Sequence, residues 1–482
     1  MHVHDKVYTG QAVPDGFYDS LTNLKAPDMT PIYSSDYYKS TLSDYQHIVE
    51  ICRMAQKVPE ISYRKAVDIL LSLRSEVNDF YSITANHFIN AGRAGLEHFF
   101  FLLSALIKNI KLASLDELNV VWACILYKGH GKNRNSDRSY RTISTCPLLA
   151  KALDTYIGQL YSDGWQSVQA PTQFQGTGSS HDLAAILLTE CIQFSLFSVK
   201  EPAFVLFLDA KSAFDKVVRE CAGRNAYLAG TSDQALLYLN SRLQSRKTFV
   251  EWDKVLMGPI LDKLGVEQGG VNSDRIYKLC NNVQLSTAQK SGLGINLGSV
   301  VVSSIGQADD TVLLSNSIVK LYCLLYLAID YCRQYHVELV PEKTKLLVLS
   351  PKSCASSVKI QKLSNPLAID GHKISFSTSA EHVGILRSSD GSNMPYILDR
   401  LSAHKNSLRA LLPAGMALSH RGNPAASLHL EQMYACPILM SGLSDLVLST
   451  SGICSSLLQG PLTASTATPP GNARMCCHVP CW

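Results

Sequence analysis

The carboxylates of Asp209, Asp309 and Asp310 are the side chains whose type and spacing are best suited to chemistry. Asp209 ends the apolar run Phe204-Val205-Leu206-Phe207-Leu208 and leads into Ala210-Lys211-Ser212-Ala213-Phe214-Asp215. Asp309 and Asp310 follow Gln307-Ala308, with Val300 to Ile305 before them and Thr311 to Leu314 after. Each cluster puts negative charge at the end of a short β-prone run, where burial makes that charge costly unless a cation offsets it. Brought together, two such ends make a cage for a pair of Mg²⁺ ions, the device that drives in-line phosphoryl transfer in nucleotide polymerization. Adjacent carboxylates repel, so Asp309 is expected to bridge both ions beside Asp209. Asp310 is expected to be the weaker ligand or to tune the site from behind.

The elements that must position these groups can be read from hydrophobic pattern. Phe204 to Leu208 is an unbroken apolar run, the signature of a strand buried on both faces. Val300-Val301-Val302 and Val312-Leu313-Leu314 flank the polar turn, which predicts a β-hairpin with Asp309 and Asp310 at its tip. Phe214 lies five residues beyond Asp209. In a polymerase of this geometry its ring would pack against the sugar of the incoming nucleotide and exclude a 2′-hydroxyl. Gly265-Val266-Glu267-Gln268-Gly269-Gly270 precedes a helix expected to start at Asn272 or Ser273, both good caps. Its paired glycines would let backbone approach a base or sugar, and Gln268 offers a two-way amide. Lys343-Thr344-Lys345, just before the strand Leu346 to Leu349, offers an ammonium that could protonate a leaving pyrophosphate.

Charge is uneven along the chain. Lys128, Lys132, Arg134, Arg138, Arg141 and Lys151 face the single acid Asp137 between Cys124 and Lys151. That local excess of five accounts for more than the whole net charge of +4. Such a concentration is the footprint of phosphate binding. The first hundred or so residues read as helical, with Ile48-Val49, Cys52 and Met54-Ala55, and Val67, Ile69 to Leu71 and Leu73, at helical spacing. Nothing catalytic stands out there. A strand is expected over Val120 to Tyr127, a helix through Leu148, Leu149, Leu153 and Ile157, and an amphipathic helix over Asn393 to Leu412 with Ile397, Leu398, Leu401, Leu408, Leu411 and Leu412 inward. Another helix is expected from Ala425 to Met433.

The start of the chain has no apolar core segment, and the greasiest stretch, Phe99 to Ile107, is about half the length of a membrane span. It reads as a buried helix, so no membrane partner is expected and the location is expected to be intracellular, in cytoplasm and nucleus. Of the 14 cysteines, Cys124, Cys146, Cys191, Cys280, Cys323 and Cys332 sit among apolar residues, as reduced thiols do. Cys476-Cys477-His478 with Cys481 fits no common zinc spacing. Between Leu446 and Trp482 the only charged residue is Arg474, against 17% charged residues overall, so this tail reads as non-native, disordered or out-of-frame sequence.

In order along the chain, Asp209 to Asp215, Gly265 to Gly270, Ala308-Asp309-Asp310 and Lys343-Thr344 resemble the motifs of reverse transcriptases of non-LTR (LINE-like) retrotransposons. The similarity extends to Tyr140-Arg141-Thr142-Ile143-Ser144, to Thr172-Gln173-Phe174-Gln175-Gly176 and to His382-Val383-Gly384-Ile385. It covers roughly residues 110 to 445.

That resemblance implies an α+β right-hand fold with a helical extension at 1–110, fingers at 111–200, a catalytic palm at 201–350, and a primer-grip hairpin and helical thumb at 351–445. It implies Asp209, Asp309 and Asp310 as ligands of two Mg²⁺, with Mn²⁺ as a possible substitute, and Lys343 as the acid. Phe214, Gln268, Gly269, Arg141, Lys128 and Lys132 would hold the deoxynucleoside triphosphate. Gly270, Gln307 and Gly384 would meet an RNA template and a DNA primer or target.

Gln307 stands where the family more often has an aromatic, Val340 where it has Asn, and Thr142 where it has Pro. With no endonuclease pattern upstream and no RNase H carboxylate set downstream, the chain reads as the polymerase portion of a second open reading frame, truncated at both ends. Two rival readings are a decayed remnant that only binds nucleic acid, favoured by the aberrant tail, and an RNA-dependent RNA polymerase, which Phe214 opposes. Oligomeric state, template and target-site preference have no signal in the sequence.

Overall fold

A computed structural model describes residues 2–3, 6–55, 59–73, 76, 78–110, 115–129, 132–175, 180–363, 367–413 and 424–442. The expected low-charge tail after residue 445, with its cysteine cluster, and Gly176 lie outside these residues. The chain is a mixture of helices and mostly antiparallel sheet, divided into two compact units. One comprises residues 1–184 and 190–376, the other residues 185–189 and 377–482.

The larger unit is built around the strand Ala203–Leu208, all six residues of which are buried. Neighbouring strands also pair with both of its edges. Asp310–Ser315 pairs with it on one side and Lys345–Leu349 on the other, both antiparallel. Ser304–Gln307 extends the sheet beyond Asp310–Ser315, and the short strand Phe376–Ser377 borders Lys345–Leu349. Phe204, Leu206, Leu208, Leu313, Leu346 and Val348 share one core with Ile276, Leu279, Leu321, Leu324 and Leu325 from the helices Ser273–Lys290 and Ile318–Tyr335. Fully burying a side chain of this kind contributes about 1.5–3 kcal/mol, so this sheet face is the firmest part of the unit.

The expected hairpin around Asp309 exists, but its ascending strand is not the valine run. Val300–Val302 pairs with Ile295–Leu297 in a separate hairpin, and Ser304–Gln307 pairs with Asp310–Ser315. Ser303 and Ser304 are fully buried despite their polarity. Main-chain pairing, together with the Ser304 hydroxyl's bond to the Leu285 carbonyl, outweighs β-propensity there.

A second sheet runs in the order 140–145, 120–127, 247–252 and 255–261. Val120–Tyr127 matches its expected bounds, pairing antiparallel with Tyr140–Thr145 and parallel with Lys247–Trp252. The basic segment is therefore the connection of one hairpin, with Arg141 paired opposite Leu126.

The first 110 residues are mainly helical, as expected, after a small hairpin of His2–Val3 with Lys6–Val7. They form no unit of their own. Val13–Lys25 lies on the second sheet through Phe17 and Leu21. Asp36–Met54 packs on the helices Arg219–Leu228 and Asp233–Gln244, and its Tyr38, Tyr45, Val49 and Cys52 join the main core. Met54, expected inward, is exposed. Gly92–Lys108 buries Phe99, Leu103 and Ile107 beside Leu148 and Leu153 but leaves Phe101 exposed, so it is buried on one face only.

Among the described residues the helix long and apolar enough to cross a membrane, by length and composition only, is His181–Val199 rather than Phe99 to Ile107. Its Ala184, Leu188, Cys191 and Ile192 are buried within the protein, while Phe197 is exposed. Cys146, Cys191, Cys280 and Cys332 are buried free thiols, Cys124 is half-buried, and Cys323, read as lying among apolar residues, is exposed.

In the smaller unit, Ser379–His382 and Ile385–Ser388 form a hairpin whose turn is Val383-Gly384, both at positive φ (46° and 82°). Arg387 donates to Thr189 Oγ1 and to the Ala185 carbonyl, each at 2.9 Å. Burial, with Arg387 adding to it, pushes the His382 imidazole down to about 3, so it is neutral at physiological pH. Met394–Leu411 buries Tyr396, Ile397, Leu401 and His404, whereas Leu398 and Leu412, expected inward, are exposed. Helices Pro424–Leu430 and Cys436–Met440 follow, and His404 Nδ1 lies 3.0 Å from the Ala435 carbonyl between them.

Candidate active site

Strand pairing brings the two acidic clusters to one edge. The last pair of the central ladder is Thr311 with Leu208, so Asp310 and Asp209 are the next residues beyond it on the two adjoining chain segments. Asp309 is the outer residue of the two-residue turn. Ala308 takes φ +58°, and Asn281 Nδ2 donates to its carbonyl at 3.2 Å, which holds the turn in place. On the other side of the same hairpin, Gly306 exchanges main-chain bonds with Thr172 and Phe174, so the segment after Ala170 lies along it. Gln307, the last residue before the turn, keeps its Oε1 buried without a hydrogen-bond partner.

Asp209 is tied at the main chain, its carbonyl accepting from Val340 N at 2.9 Å. Val340 in turn accepts from the amides of Lys343 and Thr344 and from the Thr344 hydroxyl. This turn delivers Lys343 Nζ to Asp209 Oδ2 at 3.1 Å. The Asp309 carboxyl is raised above its ordinary value because surrounding protein strips water from it and Asp209 adds negative charge, while Arg141 opposes the rise. The Asp309 carboxyl therefore senses Asp209 and, from the second sheet, Arg141.

Hard oxygen donors under mutual repulsion suit Mg²⁺ or Mn²⁺. Among the described residues, however, no three Asp, Glu, His or Cys side chains gather tightly enough to hold an ion. The trio shares an edge without closing into a cluster, and at Asp209 the Lys343 ammonium is the cation at hand.

Phe214 is half-buried and stacks on Tyr277, with centroids 4.7 Å apart and planes at 24°. Burial and then Asp309 raise the Tyr277 phenol, which puts this aromatic pair beside the acidic turn. The Phe214 carbonyl accepts from Val266 N, and the Val217 carbonyl from Gly265 N, each at 2.8 Å. Gly265 has φ +84°, and a Cβ there would lie 2.6 Å from the Asp215 carbonyl oxygen, so only glycine fits. Three residues on, the Gln268 carbonyl accepts from Ser144 N at 2.9 Å, and Gly269 at φ +104° lies against Ser144. The 265–270 loop thus bridges the Phe214 turn and the strand that carries Arg141. Asn272 takes the N-cap position as expected, but its side chain makes no capping bond; its Nδ2 donates to the Asp154 carbonyl.

The expected phosphate-binding cations form a crowded group. Burial, then Lys132, Arg141 and Lys343, lower the Lys128 ammonium, so cations of the second sheet and of the Asp209 edge sense one another. Lys128 Nζ donates to the Arg138 carbonyl at 2.8 Å. Gly384 belongs to the other unit, at the tip of its hairpin.

Residues that the sequence reading passed over hold the 265–270 loop from beneath. Arg242 Nη2 pairs with Glu267 Oε1 at 2.7 Å and Asp154 Oδ2 at 3.5 Å, and Tyr238 donates to Asp154 at 2.8 Å, all buried. Arg242 and Arg246 lie four residues apart in the mostly polar stretch Ser241 to Lys247, and nothing in that stretch marks their partners. Burial, resisted by Arg242 and assisted by Glu267, pushes the Asp154 carboxyl up to about 6 from an ordinary 3.8. Between about pH 4 and 6 the folded chain holds this proton more tightly than the unfolded one, so the Asp154 contribution to stability falls as pH rises. Asp154→Asn removes that titration. The stability of the wild type relative to the variant, from urea midpoints, is expected to decline across this window, and parallel pH curves would refute the assignment.

A family model for reverse transcriptase (RNA-dependent DNA polymerase) matches residues 131–378, slightly more than half of the 482-residue chain. The match includes every residue discussed at the Asp209 edge and the 265–270 loop, while Lys128 and Gly384 fall outside it. No curated protein matches the chain. With its acidic strand ends, aromatic pair and glycine loop inside the matched region, the chain belongs to the reverse transcriptase (RNA-dependent DNA polymerase) family.

Proposed function

We propose that this chain is the RNA-directed DNA polymerase portion of a non-LTR retrotransposon protein, extending a DNA 3′-end on an RNA template. The observation that carries this reading is the register of the central strand pair, whose last partners, Thr311 and Leu208, leave Asp209, Asp309 and Asp310 just beyond one end of it. Two Mg²⁺ ions, held by Asp209 and Asp309 with Asp310 beside them, would supply an activated 3′-hydroxyl and charge neutralisation at the pyrophosphate.

The chain's own residues do the rest. Arg141, with Lys128 and Lys132, binds the triphosphate, the Arg141 fork suiting bidentate phosphate contact. Lys343 exchanges its Asp209 partner for the pyrophosphate and gives it a proton from Nζ. Gln268 and Gly269 orient the nucleotide and template, and Gly270 and Gln307 lie toward template and primer, with Gly384 on the primer side. Residues 111–200, 201–350 and 351–445 serve as fingers, palm and thumb, with 1–110 as an extension. Action on nucleic acid implies work in cytoplasm and nucleus.

Phe214 selects the sugar. Its place on Tyr277 supports a rigid wall against a 2′-hydroxyl, since a stacked ring cannot turn aside cheaply. Phe214→Ala is expected to improve ribonucleotide use relative to deoxynucleotide use by about 100-fold in kcat/KM, the scale on which a fitted pocket discriminates. Template-directed extension with each nucleotide type measures this. Unchanged sugar discrimination in an active variant would refute the gate.

A further inference from the structure

Lys25, outside the matched region, is buried at 2% exposure, which is rare for lysine without charged partners. It ends the helix Val13–Lys25, where a cation suits the helix dipole. Its side chain turns inward. Nζ lies 3.5 Å from Asp262 Oδ2 and 3.9 Å from Asp215 Oδ1, and its carbonyl accepts from the amides of Lys263 and Leu264. Arg219 and Arg246 complete the cluster but are committed elsewhere. Arg219 donates to the carbonyls of Asp262, Leu264 and Gly265. Arg246 donates to Asp262 Oδ2 at 2.6 Å and to the carbonyls of Leu264 and Gly265.

We infer that Lys25 is a positioning residue of the nucleotide site, its ammonium and carbonyl together fixing Asp215 and residues 262–264 so that Phe214 and Gln268-Gly269 keep their places. Among the described residues Lys25 supplies the one ion pair recorded for Asp215. Burial raises the Asp215 carboxyl, and Lys25 is the foremost cation opposing the rise. Without that ammonium Asp215 must take a proton or turn toward water. Either change reaches Phe214 through the adjoining peptide, and reaches Gly265 because its Cα packs directly on the Asp215 main chain. The ammonium touches no reacting atom, so its effect should appear in nucleotide affinity and sugar choice rather than in the chemical step.

The kinetic part of this inference rests on the polymerase reading, whereas the structural part does not. The full chain is compared with Lys25→Met, Lys25→Arg and Lys25→Met/Asp215→Asn. Amide exchange over residues 262–270 is expected to quicken about tenfold in Lys25→Met, with the strands 203–208 and 310–315 unchanged. The KM for dTTP is expected to rise about tenfold with kcat within about twofold, and ribonucleotide discrimination to weaken. Lys25→Arg should recover part of each effect, and the double variant, which removes the stranded carboxylate, most of it.

Unaltered local exchange in folded Lys25→Met, or loss confined to kcat, would overturn the inference. Should Lys25→Met fail to fold, a double variant that also fails to fold would overturn it, and a folded double variant with normal exchange and KM would support it. A wild type that incorporates no nucleotide would sink the polymerase reading, and the exchange result would still decide for Lys25.

Discussion

Asp309→Ala is expected to lower dTTP incorporation at least about a thousandfold while leaving the fold and nucleic-acid binding intact. Asp309 is an exposed residue of a two-residue turn that is held by Asn281 and by main-chain pairing, neither of which needs the side chain, although protein around the turn still removes part of its carboxyl's hydration. Its raised pKa says that the folded chain disfavours its charge, chiefly through lost hydration and then through Asp209. Removing it should therefore leave neutral-pH stability unchanged or slightly higher. Loss of activity with no loss of melting temperature is the signature of a group retained for chemistry at some cost to the fold. Residual incorporation above about a tenth of wild type would remove Asp309 from the ligand set, since losing a true ligand costs far more.

The largest expected effect on stability is at Arg242. Truncating one member of a buried ion pair costs about 3–5 kcal/mol, because the partner's charge stays behind without compensation. Here two carboxylates would be stranded, Asp154 and Glu267, and the Leu118 carbonyl would lose a donor at 2.7 Å. Arg242→Met should lower the unfolding free energy obtained from denaturant titration by that amount and loosen the loop that carries Gln268. Adding Asp154→Asn and Glu267→Gln should recover most of the loss, as neutral groups tolerate the site better than unpaired ions. A loss below about 1 kcal/mol for Arg242→Met alone would place the cluster in effective contact with water.

What could be read from the sequence depended on the range of the interaction. Ala203–Leu208 was legible because a continuous apolar run demands burial on both faces, and Val120–Tyr127 was legible as a β-prone apolar run although its Leu126 is exposed. The Val383-Gly384 turn was legible only through the resemblance of His382-Val383-Gly384-Ile385 to the family's primer-grip hairpin, since its flanks carry no strong local strand pattern. The valine run at 300–302 misled, because its partner is the preceding strand and the true mate of Asp310–Ser315 begins with buried serines. Propensity said nothing about which runs pair, and the parallel pairing of 120–127 with 247–252 carries no local mark at all.

The site divides in the same way. Its acidic ends and Phe214 lie within short stretches of chain and could be seen. The loop's supports could not, because Lys25, Arg219, Arg242 and Arg246 act through partners scattered along the chain. A buried Lys25 has the same one-letter signal as a helix-ending surface lysine, and only its neighbours make it different.

The most direct test of RNA-directed DNA synthesis is extension of oligo(dT) on poly(rA) by the soluble, folded wild-type chain with Mg²⁺. The account predicts dTTP incorporation that requires the template, and ceases both when the metal is chelated and when Asp309 is replaced by alanine. A folded wild type that incorporates nothing, or an Asp309→Ala chain that incorporates as well as wild type, would contradict it.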